Sequence, residues 1–264
     1  LEIIRKPLFK FSLRRTLKMK NTTLMKEVKM YKTRTYLIKH LVIFLTFVLC
    51  VGISYSQKHD SFMSNFSTNQ IYNTSNMVDY LRHYDYTEVF KSSNHPTYGF
   101  YGEHKKRLKV RIVSVTKDLK NPNEYFVYGK TKRNEIIRPF IGKIIIQKNY
   151  KTEDIKNSSP IQSTLQGIIM ATYIFYESAE NSTVFFEGMV YSKWYVNTKD
   201  EVKYDVRNML FADQFSNNAF IGRMITEDNS IVCNWADYFP PEAGDLVTKN
   251  TTQFIPNVKY VEEG

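Results

Sequence analysis

A large apolar residue followed two positions later by glycine recurs along this chain. It appears at Phe100-Tyr101-Gly102, Val127-Tyr128-Gly129, Phe140-Ile141-Gly142, Leu165-Gln166-Gly167, Phe186-Glu187-Gly188 and Phe220-Ile221-Gly222. Residues two apart on a strand share a face, so each glycine stands beside its apolar partner on one side of a sheet. These units use six of the ten glycines, and their flanks place them inside strands rather than in turns. Glycine next to a large ring permits a sharp bend while the ring covers the gap. A chain written this way is constrained to a sheet that curls.

The stretch around which the chain is organised is Thr183 to Val196. One face carries Val184, Phe186, Gly188, Val190, Ser192, Trp194 and Val196, and the other is mixed and amphipathic. That is the pattern of a long, half-buried antiparallel strand. Similar runs follow one another from Tyr98. Leu108, Val110 and Ile112 alternate with Arg107, Lys109 and Arg111, and a turn at Lys117–Asn123 leads into Glu124–Thr131. Lys132-Arg133-Asn134 turns again into Glu135–Lys148, with Phe140, Gly142, Ile144 and Ile146 on one face. Tyr150–Pro160 is a polar loop. Thr164–Tyr176 is apolar on both faces, as a doubly covered strand would be. Lys203–Phe211, Ala219–Thr226 and Ile231–Trp235 complete about nine strands, the last two joined by a tight turn at Asp228-Asn229-Ser230.

Short connections favour antiparallel neighbours, and no helical pattern separates the strands. The expected fold is mainly β: an antiparallel up-and-down barrel, or a strongly coiled sheet, of about nine strands. One short helix is expected before it, where Thr74-Ser75-Asn76 can cap Met77, Tyr80, Leu81 and Tyr84 at helical spacing.

The formal net charge of +11 would ordinarily point to nucleic acid or an anionic surface. Its placement argues otherwise. Residues 1–40 hold 12 Lys+Arg against 2 Asp+Glu, while residues 57–264 hold 25 against 24. Residues 41–53 form an uncharged apolar run, shorter than the roughly 20 residues that a spanning helix needs. With basic residues before it and Ser54-Tyr55-Ser56 after it, residues 30–56 have the form of a secretory signal peptide cut before Gln57. Leu49 stands where lipoprotein processing at Cys50 wants a small residue. Residues 1–29 are expected to be an upstream extension, since the chain begins at Leu1 and Met30 gives an ordinary signal length. The expected organisation continues with a lead-in and short helix over 57–97, the barrel over 98–236 and a surface tail over 237–264. No membrane span is expected in the mature chain.

Site motifs are sparse. Lys105–Arg111 could meet phosphates, but its alternation is that of a solvated strand face, and no nucleic-acid partner is expected. His59, His83, His95 and His104 lack metal-site spacing, and Cys233 is expected to be buried and inert. Asp237, Glu242 and Asp245 gather near Pro240-Pro241 without the alternation of a calcium loop. There is no nucleophile elbow, phosphate loop or dinucleotide fingerprint, and no cofactor is expected.

The Phe-x-Gly hairpins resemble the meander of calycin-type barrels, the lipocalin and avidin superfamily, and Phe220–Met224 is similar to its Gly-Thr-Trp strand without the Thr-Trp. Cys233–Tyr238 together with Ala243–Leu246 resembles an uncharacterised family of exported bacterial proteins. The resemblance implies a fold and brings no activity with it.

What remains is the inward face. Tyr173, Phe175, Phe186, Trp194, Phe220 and Met224 either fill a core or line a site for a small apolar or aromatic ligand. The leading expectation is an exported, non-enzymatic barrel with such a ligand. The alternatives are an envelope-associated protein that binds protein or glycan on its surface, and an enzyme with its site in the barrel mouth. N-terminal sequencing of exported protein should begin at Gln57; mature protein that retains Leu41–Val51 would overturn the leader assignment.

Overall fold

The computed structural model describes residues 75–91, 97–152, 165–177, 184–206, 216–248 and 254–263. All of them lie in one compact unit, Asn69–Gly264. The upstream extension, the signal peptide and the start of the lead-in lie outside the described residues. So do most of the Tyr150–Pro160 loop, the turn before residue 184 and the end of the expected Lys203–Phe211 strand.

Among the described residues two one-turn helices, α1 (Val78–Leu81) and α2 (Thr87–Phe90), precede ten strands. The strands are β1 (Thr97–Tyr101), β2 (Lys106–Arg107), β3 (Lys109–Lys117), β4 (Glu124–Arg133) and β5 (Ile136–Lys151). They continue with β6 (Leu165–Glu177), β7 (Phe185–Val196), β8 (Val202–Tyr204), β9 (Ser216–Ile225) and β10 (Ser230–Tyr238). All pairings are antiparallel, in the order β2-β1-β10-β9-β7-β6-β5-β4-β3, with β8 on β7. The expected curled, up-and-down antiparallel sheet is therefore present.

Its two ends belong to one run of chain. Leu108 alone separates β2 from β3, and its N–H donates to Gly99 O at 2.9 Å. The sheet thus curls until its ends meet at Leu108, while along β3 itself the described pairing is with β4.

Burial follows the expected parity. Leu108, Val110 and Ile112 point inward, and a bulge at Val113 lets Val115 point inward as well. β6 is buried on both faces from Gln166 to Ala171. Inside, Phe220 stacks on Trp235 at 4.7 Å, and Phe140 on Phe175 at 4.8 Å.

One end is plugged by the helical segment, where Leu81 of α1, Tyr86 just before α2, and Val89 and Phe90 of α2 are fully buried in the same core. Helix α2 has no counterpart in the sequence reading. Its start is marked by Asp85, which accepts from the Thr87 N–H at 2.9 Å and from the Thr87 hydroxyl. Among the described residues no helix is long and apolar enough to cross a membrane.

Three local expectations are corrected. The hairpin after β4 turns at Asn134-Glu135, both at positive φ, so Arg133 belongs to the strand. Gly102 sits in the turn after β1 at φ 73°, outside any strand. The tail does not simply run over the surface: Phe239, Leu246 and Val247 bury against Phe100, and Phe254 stacks on Tyr98 at 4.2 Å. Apolar residues between the tail's prolines and acids give it its own small core.

The other five glycines do lie in strands, and the reason is close approach of neighbouring backbone. Gly188 of β7 stands opposite Gly222 of β9. A Cβ on Gly188 would lie 2.0 Å from Ile221 O and 2.6 Å from the Gly222 Cα. The obstacle is the next strand and not, as adjacency implies, Phe186. Backbone cannot step aside as a side-chain tip can, so Gly188→Val should destabilise by at least about 1–3 kcal/mol in urea melts. A silent substitution would refute the close approach.

Candidate functional site

The six inward residues expected to line a ligand site are buried core residues, and the structure divides them into three groups. Tyr173, Phe175 and Phe220 meet ring to ring at 4.9 to 6.1 Å, and Phe186 joins them through Trp235 at 6.2 Å. Trp235, placed by sequence near the exit of the last strand, lies at the middle of this stack and is 2% exposed. Met224 lies nearer the β4–β5 turn, against Arg133. Trp194 sits under the plug instead: its Nε1–H donates to Asn149 Oδ1 at 3.0 Å, and its ring meets Tyr86 edge-on. Asn149 Nδ2 donates in turn to the Tyr86 hydroxyl at 2.8 Å. Burial pushes the Tyr86 phenol well above its usual range, against the lowering effect of Asn149.

The end opposite the plug holds a buried ion pair that no motif announces. Arg133 of β4 bonds to Glu177 of β6, which also accepts from the Thr131 hydroxyl. The Glu177 side chain is wholly buried and that of Arg133 is 9% exposed. The guanidinium lies over the Phe186 ring at 5.4 Å, and its Nε has no hydrogen-bond partner. Burial depresses the Arg133 pKa, with Glu177 opposing. Cys233 faces this group, and burial pushes its thiol far up, which removes the thiolate needed for nucleophilic work.

At the plugged end Asp237 is 3% exposed and accepts from the Thr97 hydroxyl at 2.8 Å, the Tyr204 hydroxyl at 2.9 Å and Asn218 Nδ2 at 3.3 Å. Those donors satisfy the carboxylate where the β10 ladder is broken between Trp235 and Asp237. The three acids once grouped by sequence therefore separate. Glu242 accepts from Asn234, and Asp245 is held by Lys105, Lys259 and the Tyr260 hydroxyl. No cluster of three or more potential metal ligands occurs among the described residues.

The outer face of β3–β6 is different in kind, because large apolar side chains stand there in water. Ser114, Tyr128, Ile141 and Tyr176 are cross-strand neighbours in one row. Thr116, Phe126, Lys143 and Ile174 form the next row. Ile141 is 65% exposed, Tyr176 46% and Phe126 45%. Together the rows line an open groove of about 620 Å³. Lys143 spans it, with its ammonium 5.0 Å from the Phe126 ring centre and 2.9 Å from Glu124. Strand parity carries the signal for this face, since each of these residues alternates with a core residue.

The ion pair yields a direct test. Removing one partner of a buried pair leaves the other charge uncompensated, so Glu177→Ala should cost about 3–5 kcal/mol in chemical denaturation. A loss under about 1 kcal/mol would place the pair in solvent. No family model matches this chain, and no curated protein and no solved structure matches it either.

Proposed function

We propose that this chain is an exported, non-enzymatic β-barrel protein that recognises its partner on the outer face of β3–β6. The observation that carries the reading is the contrast between the two faces of the same strands. Inside, Phe140, Phe175, Tyr173, Phe220 and Trp235 occupy the barrel by packing on one another. Outside, Phe126, Tyr128, Ile141 and Tyr176 are exposed side by side, where polar residues would serve solubility better. Among the described residues the buried polar side chains Arg133, Glu177, Asn149 and Asp237 are engaged with one another and with neighbouring strands, and so support the architecture. Export rests on the signal-like residues 30–56, and the calycin-type likeness rests on the meander.

The two faces can be separated in one screen. Trp194 and Trp235 are both core residues, so their emission reports the interior, whereas Ile141→Asp alters the outer face alone. Fatty acids, porphyrins, flavins, glycans and envelope fragments would be tested for binding, tryptophan emission and melting temperature. A binder should leave tryptophan emission unchanged and be lost in Ile141→Asp, with the melting temperature of the free protein preserved. A ligand that shifts tryptophan emission and binds Ile141→Asp undiminished would return the site to the interior.

A further inference from the structure

The outer face changes character toward the β4–β5 turn. Lys109 stands directly opposite Lys132, and Arg111 directly opposite Lys130. Like charges facing each other across an antiparallel pair repel. On β3 they have a structural use, because lysine and arginine discourage pairing at a sheet edge. That use does not extend to Lys130 and Lys132, since β4 is paired on both sides. Glu135 contacts Lys132, and its carboxyl is held below the usual range first by Lys132, with Lys109 and Arg107 adding to the effect.

The apolar part adjoins these cations without a gap. Lys132 pairs with Ile137 and Lys130 with Pro139, and the next outward residue along β5 is Ile141. Ile137 is 61% exposed and Ile141 65%, and Tyr128 and Tyr176 stand on either side of Ile141. The two most exposed of these apolar side chains, Ile137 and Ile141, are aliphatic and stand proud of the aromatic ones that flank them. Branched aliphatics beside tyrosines and a cluster of cations match the layers of a bilayer surface: acyl boundary, headgroup level and anionic charge.

We propose that the outer face around the β4–β5 turn docks on an anionic phospholipid bilayer. Ile137 and Ile141 enter the acyl boundary, while Lys109, Arg111, Lys130 and Lys132 hold the headgroups. This rests on the outer-face reading above and names its partner. The protein lies on the membrane by this face and does not cross it.

The test must separate this face from the basic, apolar leader, so it uses site-specific labels on the full chain. In a Cys50→Ser background a polarity-sensitive dye is placed at Ile141→Cys or, as a control, at Ser230→Cys. Cys233 is buried and stays unlabelled in the folded protein. Ser230 lies on β10, four strands from β5 along the sheet. Vesicles rich in phosphatidylglycerol should shift the dye at position 141 to the blue, while pure phosphatidylcholine vesicles should not, and the dye at 230 should stay unmoved. Arg111→Gln with Lys130→Gln should weaken that response about fivefold per charge removed, and added salt should weaken it further.

Sedimentation with vesicles while the dye at 141 stays silent would assign binding to the leader and overturn the proposal. An equal response on phosphatidylcholine, or full affinity after both charge removals, would overturn it too. A response at 141 to a soluble anionic polysaccharide and none to vesicles would reject the bilayer while leaving the outer-face reading in place. Silence at 141 toward every partner tested would reject both.

Discussion

The structure depends on how closely its strands approach where they curl. At Gly188 and Gly222 the backbones of β7 and β9 come so near that a single methyl group would meet a carbonyl oxygen. Similar approaches occur at Gly142, beside Ile174 O, and at Gly167, beside Tyr150 O. Each allows a bend that a flat sheet of β-branched residues would resist. The bends bring inward rings from non-adjacent strands into contact, as Tyr173 of β6 meets Trp235 of β10 at 5.3 Å. Burial of large aromatic area then supplies the driving force, and Cys233, the cysteine among the described residues, is free.

A curled sheet of this kind has two ends to close, and they are closed by different chemistry. At one end the helices supply apolar side chains, and asparagines satisfy the backbone they expose. Asn218 Nδ2 donates to Val89 O at 2.8 Å, and Asn76 Oδ1 accepts from the Asn149 N–H at 3.0 Å. At the other end Arg133 and Glu177 link β4 to β6 across β5. A buried pair is a poor source of net stability, because desolvation opposes the attraction. Its geometric consequence is clearer: it holds Thr131, Arg133 and Glu177 inward together.

What is legible in the sequence is what has a period. Alternation identifies Leu108, Val110 and Ile112 as inward, and Phe186, Gly188, Val190 and Trp194 as one face of β7. The glycine spacing points to curl, although the clash that demands Gly188 comes from β9 and is invisible along the chain. Contacts between distant strands leave no local trace. Arg133 looks like part of a turn because Lys132-Arg133-Asn134 is polar, and only the fold places Glu177 beside it, 44 residues away. Trp235 looks peripheral because its strand ends soon after, yet curl puts it at the centre. Around helix α2 only Tyr86, Val89 and Phe90 stand at helical spacing, a single turn without the second turn that Met77, Tyr80, Leu81 and Tyr84 give around α1.

Strand parity also ties the candidate surface to the core. With Thr131 and Arg133 inward, Lys130 and Lys132 must point outward; with Phe140 inward, Ile141 must point outward. A one-residue slip of β5 would bury Lys143 and expose Phe140 and Ile144, so the core sets which positions face the solvent. It does not set what occupies them. At Lys130, Lys132, Lys143 and Glu124 the outward residues are polar, as a solvated face requires. At Phe126, Tyr128, Ile137, Ile141 and Tyr176 they are large and apolar, although nothing inside the barrel constrains that choice. β-Propensity accounts for isoleucine and tyrosine in strands generally, but it acts at every outward position of β4 and β5 alike. It therefore leaves unexplained why the apolar choices adjoin one another across β4, β5 and β6 instead of scattering among the polar ones. Contiguity is what a binding surface requires and what strand formation does not, and it is the property of this face that bears on function.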